Sequence, residues 1–365
     1  MSTAFSIEAV DAHMLGQHGR VVFGGVGRLA VHGATLFEQM KDLEAHADWF
    51  RKLMLREPRG YPLTCCNIVL PPCDPRADAG FVILEQQRIY PTMSGSNTII
   101  VATVLLETGR VAMREPVTDL MLESPGGLVP VRATCAGGRV TSVAFRNVPC
   151  FASELDVRVD VAGVGRVAVD VAHGGMAYAV VRAEDLGVVV QPSSGARLLE
   201  LGLAVAHGAR RAAGFRHPLN PEIDAIEGTV IRHAPDATGG WRQTTVTIGG
   251  MMNRTPAGTG TSAAVAAMHA RGDIAVGDSV AVMGMFGQQL TCRVVEDVQV
   301  GGRPGMVPEI AGRAWITGFA RYVLQDDDPF PEGLMVGDIW AMANSGSTAA
   351  EMGEAVPLRG AGAPR

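Results

Sequence analysis

The sequence predicts a mixed α/β (α+β) protein of two pseudo-symmetric domains, and three observations carry that expectation. Short β segments punctuated by Gly and Pro dominate the chain, two apolar helices each follow a turn rich in Gly, Ser and Thr, and those two units fall in halves of similar length. The strand segments are Arg20 to Phe23, Asn67 to Leu70, Gly80 to Leu84, Leu128 to Ala133, Arg139 to Phe145, Asp156 to Val161 and Arg166 to Val171. Helical periodicity runs through Thr35 to Leu55 and again through Ala196 to Ala213.

The two remaining helices carry the argument. One starts at the turn Pro91-Thr92-Met93-Ser94-Gly95-Ser96-Asn97-Thr98, continues through the apolar run Ile99 to Leu106 and closes at Gly109. The other starts at Pro256-Ala257-Gly258-Thr259-Gly260-Thr261-Ser262, continues through Ala263 to Met268 and closes at Gly272. With Ser94-Gly95 aligned on Ala257-Gly258, each unit has a Thr three residues after the Gly and a closing Gly fourteen after it. A helix apolar on most faces belongs inside a domain. Its first amides lack helical partners, Gly admits a close approach, and the helix dipole favours an anion there. One such turn is accounted for by the capping of a core helix. Two in matching context divide the chain near residues 183–192, into domains 1–185 (turn at 91–98) and 186–365 (turn at 253–262), with one site between them.

Composition narrows the partners. The 365 residues carry a formal net charge of -6 and only 19% charged side chains, which disfavours a phosphate-tracking surface, so no nucleic acid is expected. No apolar run approaches the roughly 20 residues that span a bilayer, and the N-terminus lacks the pattern of a signal peptide. No membrane contact and a cytoplasmic location are therefore expected. The six cysteines, Cys65, Cys66, Cys73, Cys135, Cys150 and Cys292, are too scattered for a disulfide framework or a zinc site and read as small buried apolar residues. No metal is expected.

Several segments in order then resemble the proline racemase superfamily across nearly the whole chain. They are Glu57-Pro58-Arg59-Gly60, "PPCDPRADAG" at 71–80, Met93 to Thr98, "DVAHGGMAY" at 170–178, "RTPAGTGTS" at 254–262, and "GRAWITG" with "DDPFPEG" near the end. The resemblance implies a diaminopimelate epimerase-like fold, in which each of two domains wraps a curved, mostly antiparallel sheet around a central helix. It also implies a small proline-like amino acid held between the domains, no cofactor, and a homodimer.

In the racemases and epimerases of this superfamily a cysteine at each turn removes or donates the α-proton from opposite faces. Here the equivalent positions are Ser94 and Ala257. Alanine has no exchangeable proton, so two-base inversion through these turns is not available. One-sided chemistry suffices for elimination, and the sequence points first to a dehydratase converting trans-3-hydroxy-L-proline to Δ1-pyrroline-2-carboxylate. Ser94 is the candidate catalytic residue. The candidate substrate-binding residues are Gly95, Ser96, Asn97, His173, Asn253, Ala257, Gly258, Thr259 and Gly260. The resemblance places a His where this chain has Ser96 and an acidic residue where it has Asn253, so fewer charges surround the substrate's ammonium group. Two alternatives stay open: a 4-hydroxyproline epimerase or proline racemase with other acid–base groups, and a catalytically silent ligand-binding protein.

Five residues have competing assignments. His173 is set either beside Ser94 and the substrate or in the core. His13, in "DAHMLGQHGR", is expected to hold a turn near the site. Glu57 and Arg59 are expected to form an ion pair or turn anchor. Asp338 lines the pocket or caps a strand end.

Overall fold

Alternation of apolar residues with polar or Gly-rich breaks produces strands through most of the chain in the computed structural model, which describes residues 5–25, 29, 31–86 and 90–336. The first eight strands are β1 (Phe5–Met14), β2 (Gln17–Gly24), β3 (Cys65–Leu70), β4 (Ala79–Leu84), β5 (Val117–Ser124), β6 (Gly127–Ala136), β7 (Arg139–Arg146) and β8 (Phe151–Val161). They are followed by β9 (Gly165–His173), β10 (Ala177–Arg182), β11 (Ile226–Arg232), β12 (Trp241–Thr247), β13 (Ser279–Met283), β14 (Gln289–Val300), β15 (Arg303–Gly312) and β16 (Ala314–Leu324). The helices are α1 (Leu36–His46), α2 (Asp48–Leu55), α3 (Gly95–Glu107), α4 (Gly195–Ala212) and α5 (Gly258–Arg271). This is a mixed α+β fold, mostly strands.

One succession of pairings occurs twice. β2 and β3 run parallel, β3 and β4 antiparallel, and β4 and β5 parallel, with α3 connecting the last pair. Likewise β10 and β11 run parallel, β11 and β12 antiparallel, and β12 and β13 parallel, with α5 connecting the last pair. The strand order β16-β1-β2-β3-β4-β5-β6-β7-β15-β14-β13-β12-β11-β10-β9-β8 mirrors itself about the β7–β15 junction. Pairing thus groups residues differently from a cut at 185/186. Strands β8 to β10 lie with β11 to β15, while β16 crosses back to cover the open edge of β1 along its whole length.

The helices sort by their apolar faces. α4 buries one stripe, Leu198, Leu201, Val205 and Ala209, against β8 and β11, and turns its charged residues outward. α3 and α5 have no polar face: Gly95 to Leu106 and Gly258 to Met268 are buried throughout, and both helices belong to one core with Phe81, Phe145 and Trp241. The expected helix Thr35 to Leu55 is two helices. Thr35 and Glu38 form a capping box on the first. At Ala47 (φ -131, ψ 22) the backbone leaves helical space, and Asp48 begins the second, accepting hydrogen bonds from Arg51 and the Tyr90 hydroxyl. No helix among the described residues is long and apolar enough to cross a membrane.

Candidate active site

α3 and α5 meet end to end at their N-termini. A Cβ built on Gly95 would lie 3.2 Å from the Gly258 Cα and 2.8 Å from the Phe145 ring, and one on Gly258 would lie 3.1 Å from the Gly95 Cα. These two glycines are there because any side chain would push the helix ends apart. The helical ladders begin with Thr98 N–H donating to Ser94 O and Thr261 N–H donating to Ala257 O. The amides of Gly95, Ser96, Asn97, Gly258, Thr259 and Gly260 precede them and are outside the helices' own hydrogen bonds. Two positive helix ends thus face one another, which would be unfavourable without an anion between them. Burying the Ile, Leu and Val side chains of α3 contributes roughly 10 kcal/mol or more, enough to outweigh a few uncompensated amides.

The two ends enclose a cavity of about 40 Å³ lined by Ser94 to Asn97 from one side and Asn253 and Ala257 to Thr259 from the other. Gln17, Cys65, Glu85, Met176, Tyr178, Thr247 and Met251 complete its wall. Ser94, the N-cap of α3, has ordinary extended backbone (φ -148, ψ 122) and is half-buried. Asn97 Nδ2 donates to Ser94 Oγ at 3.0 Å, and Asn67 Nδ2 donates to Asn97 Oδ1 at 2.9 Å. With its oxygen taken by Asn67, Asn97 can only donate to Ser94, which leaves the serine hydroxyl proton for the cavity. Ser96 Oγ meets Thr255 Oγ1 at 3.5 Å and so ties the first turn to the second.

The second turn is built differently. Ala257 has φ 64 and ψ 118, a backbone that L residues other than Gly rarely adopt. Buried hydrogen bonds hold it there: Ala257 N–H donates to Thr255 Oγ1 (2.9 Å), and Gln243 Nε2 donates to Pro256 O (2.6 Å) and Thr261 Oγ1 (3.0 Å). Beyond the methyl group, the Tyr178 hydroxyl and Thr259 Oγ1 pair at 2.9 Å. Burial pushes the Tyr178 phenol above its ordinary range, so it keeps its proton. Cys65 Sγ donates weakly to Glu85 Oε1 at 3.8 Å. Burial, and then the Glu85 charge, raise the Cys65 thiol well above its ordinary range. Glu85 opens partly onto the cavity but is otherwise enclosed by protein, and that burial pushes its carboxyl up to about 7.

Two of the residues assigned from sequence stand elsewhere. His173 does not line this cavity. It ends β9 in an aromatic cluster with Phe151 (5.5 Å between ring centroids), Phe215 (5.9 Å) and His217 (4.8 Å), beside a separate, apolar cavity of about 360 Å³. Among the described residues its ring nitrogens make no well-formed hydrogen bond, and burial and then His217 hold its pKa down to about 3, so it is a neutral core histidine. Gly260 lies under the first turn of α5, where a Cβ would meet Thr245 Oγ1 at 2.5 Å. It serves packing against β12 rather than the cavity wall.

His13 holds a turn: its Nδ1 accepts from Gly16 N–H, its ring stacks on Trp315, and Gln17, just beyond, accepts from Arg254 N–H in the second turn. Arg59 pairs with Asp328 of "DDPFPEG" rather than with Glu57, and its carbonyl accepts from Arg20. Asp338 lies outside the described residues. Five cysteines are buried and Cys73 is half-buried. Sequence reasoning missed Gln17, Cys65, Glu85 and Tyr178 as cavity residues. The signal for Glu85 was present, as a lone carboxylate ending the wholly apolar run Ala79 to Leu84.

The family profile described as "Proline racemase" matches residues 9–335. The chain belongs to the proline racemase family. A solved hydroxyproline epimerase from Agrobacterium vitis, with bound trans-4-OH-L-proline, is 35% identical with a TM-score of 0.87, and the match covers 94% of this chain and 99% of that one. A probable proline racemase from Agrobacterium radiobacter K84, with bound carbonate, is 36% identical with a TM-score of 0.85, covering 92% and 98%. A PhzF-family phenazine biosynthesis protein from Bacillus anthracis, 13% identical with a TM-score of 0.55 over 89% of this chain and all of that one, shares the fold alone. Membership makes this a chain of an enzyme family of racemases and epimerases, with a diaminopimelate epimerase-like fold.

Proposed function

We propose that the chain dehydrates trans-3-hydroxy-L-proline to Δ1-pyrroline-2-carboxylate by proton removal from one face. The observation that carries this is the pair of residues heading the two helices: a hydroxyl at Ser94 and a methyl group at Ala257 line the same cavity. The substrate carboxylate takes the anion position between the helix ends. Ser94 acts as the alkoxide, its own hydroxyl proton having first passed to solvent; Asn97 and the α3 N-terminus stabilise that negative oxygen until the α-proton neutralises it. The β-hydroxyl then leaves, takes up a proton to become water, and the enamine tautomerises to the cyclic imine. Tyr178 and Thr259 are the protonated groups on the other side that can serve the departing oxygen.

One observation favours a second reading, 4-hydroxyproline epimerisation. The relative with bound trans-4-OH-L-proline is 35% identical, and Tyr178 and Thr259 give the Ala257 side exchangeable protons without a thiol. Incubation in deuterium oxide separates the two. Imine captured by coupled reduction of trans-3-hydroxy-L-proline supports dehydration. Inversion of trans-4-hydroxy-L-proline with deuterium at Cα, and no imine, moves the assignment to epimerase. Neither product at high enzyme concentration defeats both.

We also propose a homodimer. It is supported by Phe319, 75% exposed on the edge strand β16 between the partly exposed Trp315 and Val323. Light scattering on the purified chain checks it.

A further inference from the structure

We infer that Glu85 is the counter-charge for the ring ammonium of the bound amino acid, a role the neutral Asn253 and Ser96 leave open; the inference rests on the proline-like ligand proposed above. An amino acid at neutral pH brings a carboxylate and a cationic nitrogen into the same enclosed space. The helix ends answer the first charge. Among the described residues lining the cavity, Glu85 is the only Asp, Glu, Lys or Arg, so the second charge has one possible ionic partner. Enclosing a cation without such a partner is costly.

Among the described residues Glu85 is not otherwise engaged through its carboxyl. Its carboxyl carries one weak hydrogen bond, from the Cys65 thiol, and among the described residues it forms no ion pair. The groups that bear on its charge come from three elements: Cys65 on β3, Tyr178 on β10 and the like-charged Glu227 on β11. None is a cation. In the empty site the carboxyl is therefore poised to ionise, and an arriving ammonium draws it to the charged form. Glu85 follows β4 directly, so a strand buried along its whole length fixes the carboxyl's position rather than a mobile loop.

The test uses two ligands that differ in this one charge. L-proline carries a cationic nitrogen, and pyrrole-2-carboxylate carries the carboxylate without one. Titration calorimetry on the full chain at pH 8 should show that Glu85→Gln weakens L-proline by about tenfold or more. Binding of pyrrole-2-carboxylate should hold or tighten, since a negative charge has left its surroundings. Wild-type affinity for L-proline should fall as pH drops from 8 to 6, Glu85→Gln should lose that dependence, and Glu85→Asp, which keeps the charge, should retain it. Equal weakening of both ligands assigns Glu85 a structural role and overturns the inference, as does unchanged L-proline binding. A wild-type chain that binds neither ligand overturns the proline-like reading itself, and the inference with it.

Discussion

The N-terminal ends of α3 and α5 are the same device built from different residues. Both place unpaired amides at one cavity, and both need Gly at the point of closest approach. At α3 the capping position is a hydroxyl in relaxed backbone, supported by the Asn97–Asn67 pair. At α5 it is a methyl group in strained backbone, held by Thr255 and Gln243. The two ends thus share their backbone electrostatics but differ in the side chain at the cap, a hydroxyl against a methyl group. Binding an anion at a helix end needs only backbone amides, so it does not depend on which side chain stands at the cap.

The largest effect should come from removing the hydroxyl at the α3 end. Ser94→Ala should lower turnover of the hydroxyproline substrate by about 10²–10⁴-fold, while pyrrole-2-carboxylate still binds. Turnover within a few-fold of wild type would place the proton acceptor elsewhere. The next test makes the ends alike. Ala257→Cys restores a thiol on the second face without filling the core, because the residue at 257 already points into the cavity. It should confer conversion of L-proline to the D form, read by polarimetry, at least about tenfold above wild type, since the missing acid is then present. An inert variant that still binds pyrrole-2-carboxylate would mean that the Ala257 side chain does not face Cα.

What was legible in the sequence follows from where each signal sits. Ser94, Gly95, Ala257 and Gly258 were readable because a helix start is a local event, written in consecutive residues. The buried helices were readable because neither has a polar face. Tyr178 and Glu85 reach the cavity only through strand pairing across the sheet, and no local pattern records which strands become neighbours. His173 misled for the same reason. It sits one residue before Gly174, whose Cβ would collide with Thr259 O at 2.2 Å, so the segment does touch the site. But alternation along β9 turns the histidine ring to the aromatic cluster instead. The break at Ala47 was hidden because the apolar stripe Leu36, Met40, Leu43, Phe50, Met54 continues in phase across it.

Smaller effects probe how each end is held in place. Gln243→Leu leaves Trp241 Nε1 without its acceptor in a fully buried position, and leaves Pro256 O and Thr261 Oγ1 only the long bond of 3.5 Å between them. The expected loss is about 2–4 kcal/mol in urea unfolding. Asn67→Leu, which touches the α3 end instead, should act mainly on turnover; a stability loss equal to that of Gln243→Leu would erase the contrast between the two ends.

The smallest expected effect concerns Glu85, and its sign is set by which state holds the proton. Burial raises the folded carboxyl from 4.5 to about 7. Below about 4.5 both folded and unfolded chains are protonated, and the group costs nothing. Between there and about 7 the unfolded chain ionises first, so stability falls as pH rises; above 7 the cost is complete, about 1–3 kcal/mol. Glu85→Gln should therefore raise the urea midpoint at pH 8 and leave it unchanged at pH 4. Equal midpoints at pH 8 would show that the carboxyl is not held out of water at all. A gain there is the counterpart of lost ligand binding, because one unpaired charge destabilises the empty cavity and stabilises the filled one.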